Sequence, residues 1–226
     1  MRHWLKGHSL TLVAILLFLF SYAGQVLTGR ADYNADQVAH GEQPVSLTGY
    51  FGTGHFGEAT FENWESEFLQ MAVFIFLTAF LVQRGSAESR KPDDDPKAGT
   101  EPMDEDPRKH IGDPKAPWPV RRGGVALAIY RNSLSLGLFL LFLVCFALHA
   151  VTGAAAFSEE QLAHGQHAMG ALAYVATAHF WFESFQNWQS EFLSVFALTL
   201  LSIWLRQQHS PESKPVHAPY EQTGED

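Results

Sequence analysis

Two carboxylates in this chain lie where an ionisable group is costly. Glu67 and Glu191 stand directly before uncharged, mostly apolar stretches, residues 68–82 and 192–205. A carboxylate at the edge of such a stretch should face a protein interior, a partner or water. The same polar types accompany both carboxylates at helical spacing: Asn63 and Ser66 with Glu67, and Asn187 and Ser190 with Glu191.

Histidines recur in the connections that precede these carboxylates, at His40, His55, His164 and His179. Imidazole and carboxylate groups bind metals and carry protons near neutral pH. No pair of these histidines has the spacing of a familiar metal motif, so the metal, if any, is unknown. Two interpretations stay open. The polar residues form structural hydrogen bonds between helices, or they line an outward-facing pocket for a proton, a divalent cation or a small polar ligand.

Other chemistry finds little support in the sequence. The chain has no P-loop, no GxSxG and no dinucleotide-binding glycine pattern, so we do not expect an enzyme. The single cysteine, Cys145, excludes an intramolecular disulfide framework. The net charge of −9 argues against nucleic acid as a partner. Only His149 lies within an apolar block, so bis-histidine haem ligation is not expected, and no cofactor is predicted.

Four apolar blocks must position these residues. Residues 10–27 and 134–151 contain no charged side chain and have the length at which a membrane helix is the default interpretation. The shorter blocks, 68–82 and 192–205, follow aromatic segments around Trp64 and Trp188, which extend each predicted helix to about 20 residues. The sequence therefore predicts an all-α membrane protein with four transmembrane helices, in which the lipid bilayer is one partner.

The basic residues predict the orientation in the membrane. Of 15 Lys and Arg residues, two precede the first block, ten lie between the second and third, and two follow the fourth. Only Arg30 lies in either of the other connections. Because basic residues concentrate in cytoplasmic loops, we expect both termini and the middle loop in the cytoplasm of a bacterium, with the protein in its inner membrane.

An internal repeat is the strongest pattern. When the sequence is shifted by 124 residues, Ser9–Ser89 matches Ser133–Ser213 without a gap at about 32 of 81 positions. Each unit holds two predicted crossings, so the units are parallel, same-orientation helical hairpins. The repeat also argues that residues 10–27 are a retained helix rather than a cleaved signal peptide, because an internal helix is their counterpart.

The outer connection of each hairpin is predicted to contain a short helix. Asn34 and Ser158 are suitable N-caps, each followed three residues later by a glutamine. Gly41 and Gly165 stand where a helix-ending left-handed residue is favoured. His40 and His164 would then lie in the last turn of these short helices.

Composition divides the chain into four parts. Residues 1–90 form the first hairpin and residues 121–213 the second. Residues 91–120 carry acidic clusters and several prolines with few large apolar side chains, which predicts a disordered cytoplasmic linker. Residues 214–226 are predicted to be a disordered cytoplasmic tail.

The second repeat resembles a known family. It contains the strings QLAHG, Gln161 to Gly165, and FESFQNWQSEF, Phe182 to Phe192. These resemble an uncharacterised family of small bacterial multi-pass membrane proteins, filed as a domain of unknown function. The first repeat departs from the pattern at Gly57, Glu58 and Ala59. The resemblance implies a membrane location and no particular activity.

The function predicted from the sequence is binding rather than catalysis. We expect a non-enzymatic membrane module that binds a protein partner, a second copy of itself or a small ligand through its outer polar face. A small transporter or proton-coupled channel is one alternative, and a metal or redox membrane protein is another.

Overall fold

Helices carry most of the chain in the computed structural model, which describes Leu5, residues 8–93 and residues 105–224. These residues form eight α-helices and no strand. In chain order the helices are α1 (Ser9–Ala39), α2 (Leu47–Tyr50), α3 (Gly54–Thr78), α4 (Trp118–Arg122), α5 (Gly124–Tyr130), α6 (Ser133–Ala163), α7 (Ala171–Val175) and α8 (Ala178–Leu201).

Among the described residues, two helices are long and apolar enough to cross a membrane, α1 and α6. Each has 31 residues and spans about 46 Å at about 1.5 Å per residue, more than the roughly 30 Å of a bilayer's hydrocarbon core. In their most apolar windows only 6% and 22% of residues are buried. A core helix of a soluble protein would be mostly buried, so the length, composition and exposure of these two helices suggest membrane association.

The other two long helices, α3 and α8, have 25 and 24 residues. They begin in the aromatic and polar segments and include most of the shorter apolar blocks, as the sequence predicted. The short helices α2 and α7 lie in the connections before them. Each connection therefore does contain a short helix, although at a different place from the predicted one.

The prediction of separate short helices starting at Asn34 and Ser158 is wrong. Both residues lie inside the long helices α1 and α6, which continue past the apolar blocks. Continuing a helix adds one backbone hydrogen bond for each residue, and nothing in these segments interrupts it. The predicted ends are correct, because Gly41 and Gly165 follow the helices with φ of +79° and +71°.

The side chains of Asn34 and Ser158 instead hold the connection that follows each helix. The Oδ1 atom of Asn34 accepts a hydrogen bond from the amide of Val45 at 2.8 Å, and its Nδ2 donates to the Val45 carbonyl at 3.1 Å. The Oγ atom of Ser158 makes the corresponding pair with Met169, accepting at 3.0 Å and donating at 3.2 Å. Each connection is thereby folded back onto its helix.

The predicted linker, 91–120, lies partly outside the described residues, which omit 94–104. From residue 105 onward it contains a 3₁₀ turn at Pro107–His110 and then α4. The predicted tail, 214–226, begins with Lys214, whose side chain is only 1% exposed. Composition alone gave no indication of this burial.

The chain divides into two units, each composed of two separate stretches of the sequence. The first consists of Met1–Phe61 and Ala147–Trp181, and the second of Glu62–Phe146 and Phe182–Asp226. In the first unit, buried aromatic and polar side chains meet around Tyr50, Tyr174 and Phe180. The ring of His149 is also buried there and stacks on Phe180, with centroids 4.7 Å apart.

The core of the second unit contains an unusual share of polar side chains. Phe142 packs edge to face on Trp188, with centroids 6.1 Å apart. Cys145 is buried in the same unit, as a packing residue would be. The buried polar side chains there are Glu65, Ser66, Ser86, Ser89, Lys91, Ser184, Ser202, Lys214 and Thr223.

Candidate functional site

A cavity of about 690 Å³ lies in the first unit, and all four predicted histidines line it. The ends of α1 and α6 provide much of its wall, the first turns of α3 and α8 add to it, and Glu42 comes from the connection after α1. The lining residues are Tyr33, Asp36, Gln37, His40, Glu42, His55, Glu58, Ala156, Phe157, Glu159, Glu160, Leu162, Ala163, His164 and His179.

The lining is paired along the sequence. Eight of its fifteen residues form four pairs whose members are 124 positions apart, the spacing of the repeat. The pairs are Tyr33 with Phe157, Asp36 with Glu160, His40 with His164, and His55 with His179. Equivalent positions of the two predicted hairpins therefore meet around one space.

Helix-ending turns position the first pair of histidines. The amide of Glu42 donates to the Gln37 carbonyl at 2.8 Å, and the amide of Gln166 donates to the Gln161 carbonyl at the same distance. These bonds close the last turns of α1 and α6 around the left-handed glycines. His40 Nδ1 lies 3.0 Å from the Asp36 carbonyl and 3.4 Å from its carboxylate, so a protonated His40 is paired there.

Aromatic rings position the second pair. His55 lies beside Tyr33 with ring centroids 5.5 Å apart, and His179 lies beside Phe157 at 5.0 Å. Tyr50 is buried behind His55, and its hydroxyl is 3.0 Å from the Nδ1 atom of that histidine. Burial, with a smaller effect of Asp32, raises the pKa of Tyr50 above its ordinary value. Its hydroxyl thus stays protonated and able to donate.

The two halves of the cavity differ in their hydroxyl contacts. Tyr174 is the counterpart of Tyr50, yet its hydroxyl donates to Glu58 Oε1 at 3.3 Å. The Tyr33 hydroxyl donates to Glu159 Oε2 at 3.3 Å, whereas the counterpart of Tyr33 is a phenylalanine. Glu58 comes from the segment where the first sequence repeat departs from the family pattern. The departure supplies a carboxylate to the cavity.

Close helix packing brings Glu58 to this place. A Cβ atom on Gly57 would overlap the side chain of Thr152 on α6, and one on Gly54 would overlap the backbone of Ala156. The glycines therefore allow the start of α3 to approach the end of α6 closely. Larger side chains at these positions would push Glu58 away from Tyr174.

The charge of the cavity is acidic. Five carboxylates line it, and no lysine or arginine is among the lining residues. Burial, followed by the charge and hydrogen bond of Glu159, raises the pKa of Tyr33 to about 12. A phenol is held neutral in this way where negative charge is concentrated. The cavity is thus suited to a positively charged guest, whereas an anion would meet repulsion.

The histidines and acids do not meet as a metal-ligand set. Within the described residues, no group of three or more His, Cys, Asp or Glu side chains is arranged to hold a metal ion. The rings of His55 and His179 pack against aromatic neighbours.

The six other predicted residues belong to the second unit. Ser66 is buried and donates to the Asn63 carbonyl at 2.8 Å, and Ser190 makes the same bond to Asn187. Glu67 is exposed and Glu191 is half-buried. Glu67, Glu191, Asn63, Asn187, Ser66 and Ser190 are absent from the cavity lining of the first unit.

A buried carboxylate of the second unit, Glu65, was not predicted from the sequence. Its side chain is 0% exposed, and its Oε1 atom accepts a hydrogen bond from Ser184 at 3.1 Å. Asn187 donates from Nδ2 to the neighbouring carboxylate of Glu62. The spacing of three between Glu62 and Glu65 places them on one helix face, and this spacing could have drawn attention to them.

These observations define an all-helical protein with two long apolar helices and an acidic, histidine-lined cavity. The chain belongs to the family described as a domain of unknown function, DUF6766, whose family model matches residues 1–225. No curated protein and no solved structure matches the chain.

Proposed function

We propose that this chain is a multi-pass protein of the bacterial inner membrane that binds a small organic cation in its acidic cavity. It acts as a binding module rather than an enzyme. The observation that carries the proposal is the cavity lining, in which five carboxylates and four histidines occur without a lysine or arginine. Aromatic faces at Tyr33 and Phe157 add a second attraction for a cation.

Four membrane crossings are part of this proposal. Helices α3 and α8 span about 36–38 Å at about 1.5 Å per residue, which is enough to cross a hydrocarbon core of about 30 Å. The partition of fourteen of fifteen basic residues supports cytoplasmic termini and an outward-facing cavity. The extensions of α1 and α6 beyond their apolar blocks then form the outer walls.

Matched hydrogen bonds support the parallel-repeat architecture. Thr53 Oγ1 donates to the Tyr50 carbonyl at 2.8 Å, and Thr177 Oγ1 donates to the Tyr174 carbonyl at 2.6 Å. At the other end of the hairpins, the Gln83 amide donates to Ser89 and the Gln207 amide to Ser213. Bonds 124 positions apart favour a duplicated hairpin.

The paired lining favours a cation with a charge at each end. Asp36 and Glu160 are counterparts, as are the two pairs of histidines. Such an arrangement offers one carboxylate and two histidines to each end of a short linear diamine. A cavity of about 690 Å³ lies within the usual range for small-molecule sites, about 300–1,000 Å³.

Ligand titration of the purified chain in lipid nanodiscs tests the proposal. We expect 1,4-diaminobutane to raise the melting temperature, butylamine to raise it less, and butane-1,4-diol to leave it unchanged. The double variant Glu58→Gln/Glu159→Gln should weaken diamine binding at least tenfold, or about 1.4 kcal/mol. Glu67→Gln removes a carboxylate outside the cavity lining and is the control. Equal effects of diamine and diol would contradict the proposal.

A second function is favoured by the buried Glu65. An ionisable group within a membrane helix commonly marks an ion or proton pathway. If the chain carries out proton-coupled transport, Glu65→Gln should abolish proton flux into proteoliposomes, and Glu67→Gln should leave that flux unchanged. The absence of flux in the unaltered protein would remove this second candidate and leave the binding module.

A further inference from the structure

A short amphipathic segment lies directly before the long apolar helix α6. It consists of α4 and α5, joined by Gly123 and Gly124, both with positive φ of +68° and +56°. Only two residues separate α5 from the first residue of α6. If α6 crosses the membrane, this segment must lie near the membrane surface.

One face of the segment is packed within the second unit. Val120 and Leu127 are both buried. The side chain of Ile111 lies against the turn between the helices, where a Cβ atom on Gly123 would come within 3.1 Å of it. The amide of Gly112 also donates to the Arg121 carbonyl at 3.3 Å. These contacts fix which side of α4 and α5 faces outward.

The outward face is apolar. Val125 is 76% exposed and Trp118 is 56% exposed, and Ile129 and Tyr130 are exposed as well. Val125 and Ile129 are four residues apart and so lie on the same side of α5. Large apolar side chains in water are unfavourable, and their concentration on one side indicates contact with another phase or molecule.

Basic side chains border this apolar face. The guanidinium group of Arg122 lies over the ring of Trp118, 5.3 Å from its centroid, and Arg121 and Arg131 are exposed. Within residues 105–224, none of these three arginines is paired with a carboxylate. A groove of about 690 Å³ runs beside Arg122 and is lined by Trp118, Pro119, Gly123, Gly124, Val125, Ala126, Ile129, Tyr130 and Ser133.

We propose that α4 and α5 form a binding site for an anionic phospholipid, with Arg122 at the phosphate group and the exposed apolar face in the acyl-chain region. A guanidinium group presents paired donors to phosphate oxygens, and its stacking on Trp118 holds it in place. Tryptophan and tyrosine are favoured at this level of a bilayer. Charge complementarity and continuity with α6 select a lipid over a protein partner.

The site rests on the membrane crossing by α6 proposed above, and spin labelling separates the two claims. In a Cys145→Ser background, single cysteines at Val125, Leu140 and Lys115 are labelled in nanodiscs containing anionic lipid. We compare the accessibility of each nitroxide to oxygen and to a water-soluble nickel chelate. Leu140 on α6 reports the crossing, and Lys115 is the aqueous reference.

A lipid-exposed Leu140 together with a Val125 label more accessible to oxygen than the Lys115 label supports the site. A lipid-exposed Leu140 with Val125 as aqueous as Lys115 overturns the site alone. A Leu140 label as aqueous as Lys115 overturns the membrane crossing, and the lipid site with it.

Lipid selectivity is the second readout. The full chain is purified from nanodiscs of phosphatidylcholine with about one third phosphatidylglycerol, and the lipids retained are counted by native mass spectrometry. We expect enrichment of phosphatidylglycerol, at least a threefold loss of it in Arg121→Gln/Arg122→Gln, and no change in Arg108→Gln, which removes an exposed charge outside the segment. Equal retention of both lipids, or an equal loss in the control, overturns the proposal.

Discussion

The hydroxyl of Tyr33 donates a hydrogen bond to the carboxylate of Glu159, 126 residues away in the sequence, at a distance of 3.3 Å. This bond joins the ends of α1 and α6, the two walls of the acidic cavity. It also places a neutral hydrogen-bond donor beside a carboxylate. The cavity therefore depends on contacts between the two predicted hairpins.

The titration of Tyr33 should report this contact. Its pKa of about 12 in the folded protein exceeds the ordinary value of 10, so its stabilising contribution is complete below about pH 10 and is lost as the pH rises to about 12. In an absorbance titration of tyrosinate, Tyr33→Phe should remove a component near pH 12. Glu159→Gln should move that component to lower pH, whereas Glu212→Gln should not. A Tyr33 component near pH 10 would contradict this account.

The close approach of α3 to α6 predicts that alanine substitution lowers stability at Gly57 but not at Gly137, a glycine with open space around it. Gly57→Ala should lower stability by about 1–3 kcal/mol, because the new methyl group overlaps Thr152. Gly137→Ala should leave stability unchanged or raise it by up to about 1 kcal/mol, since nothing lies within 4 Å and alanine is the better helix former.

Thermal unfolding of both glycine variants in the same detergent measures the difference. A Gly57→Ala protein as stable as the unaltered chain would mean that α3 and α6 do not approach as described. Diamine binding should also weaken in this variant, because Glu58 is displaced.

Lys214 holds the chain after α8 in place. Its Nζ atom donates to the backbone carbonyls of Gly85 at 2.5 Å, Tyr220 at 3.0 Å, Gln222 at 3.0 Å and Ile203 at 3.3 Å. Burial, and then the charge of Arg206, lowers the pKa of this lysine. The ammonium group therefore bridges the turn after α3 and the chain end.

Removal of this ammonium group should destabilise the second unit. Lys214→Met leaves several buried carbonyls without a donor, which costs about 2 kcal/mol or more. The expected result is a lower melting temperature and faster proteolysis after residue 206. Lys109→Met, at an exposed surface ion pair, should change stability by less than about 0.5 kcal/mol. Equal effects of the two substitutions would show that the Lys214 contacts contribute little.

Parts of the fold and of the cavity followed from the sequence. The helix ends at Gly41 and Gly165 were predictable, because a left-handed glycine after a helix is a strong local preference. The grouping of His40, His55, His164 and His179 followed from their recurrence at one spacing. Local patterns and repeats of this kind can be identified from the order of the residues alone.

Other parts depend on contacts between distant segments. Glu58 and Glu159 reach the cavity because of helix packing. Their counterparts in the other repeat are Phe182 and Ala35, so neither glutamate belongs to a matched pair that the repeat could have indicated. Glu65 rather than Glu67 is buried because the rotation of α3 about its axis is set by its neighbours. Lys214 was assigned to a disordered tail because of the local composition. Composition cannot predict that backbone carbonyls from separate segments will surround one ammonium group.

The most direct test of the cation-binding cavity is nuclear magnetic resonance of the chain with isotope-labelled histidines. The signals of His40, His55, His164 and His179 are assigned by single substitutions to glutamine, and 1,4-diaminobutane is then added. We predict that these four signals shift together with one dissociation constant, that His209 and His217 do not shift, and that butane-1,4-diol has no effect. Four unshifted cavity signals, or equal shifts with the diol, would contradict the account.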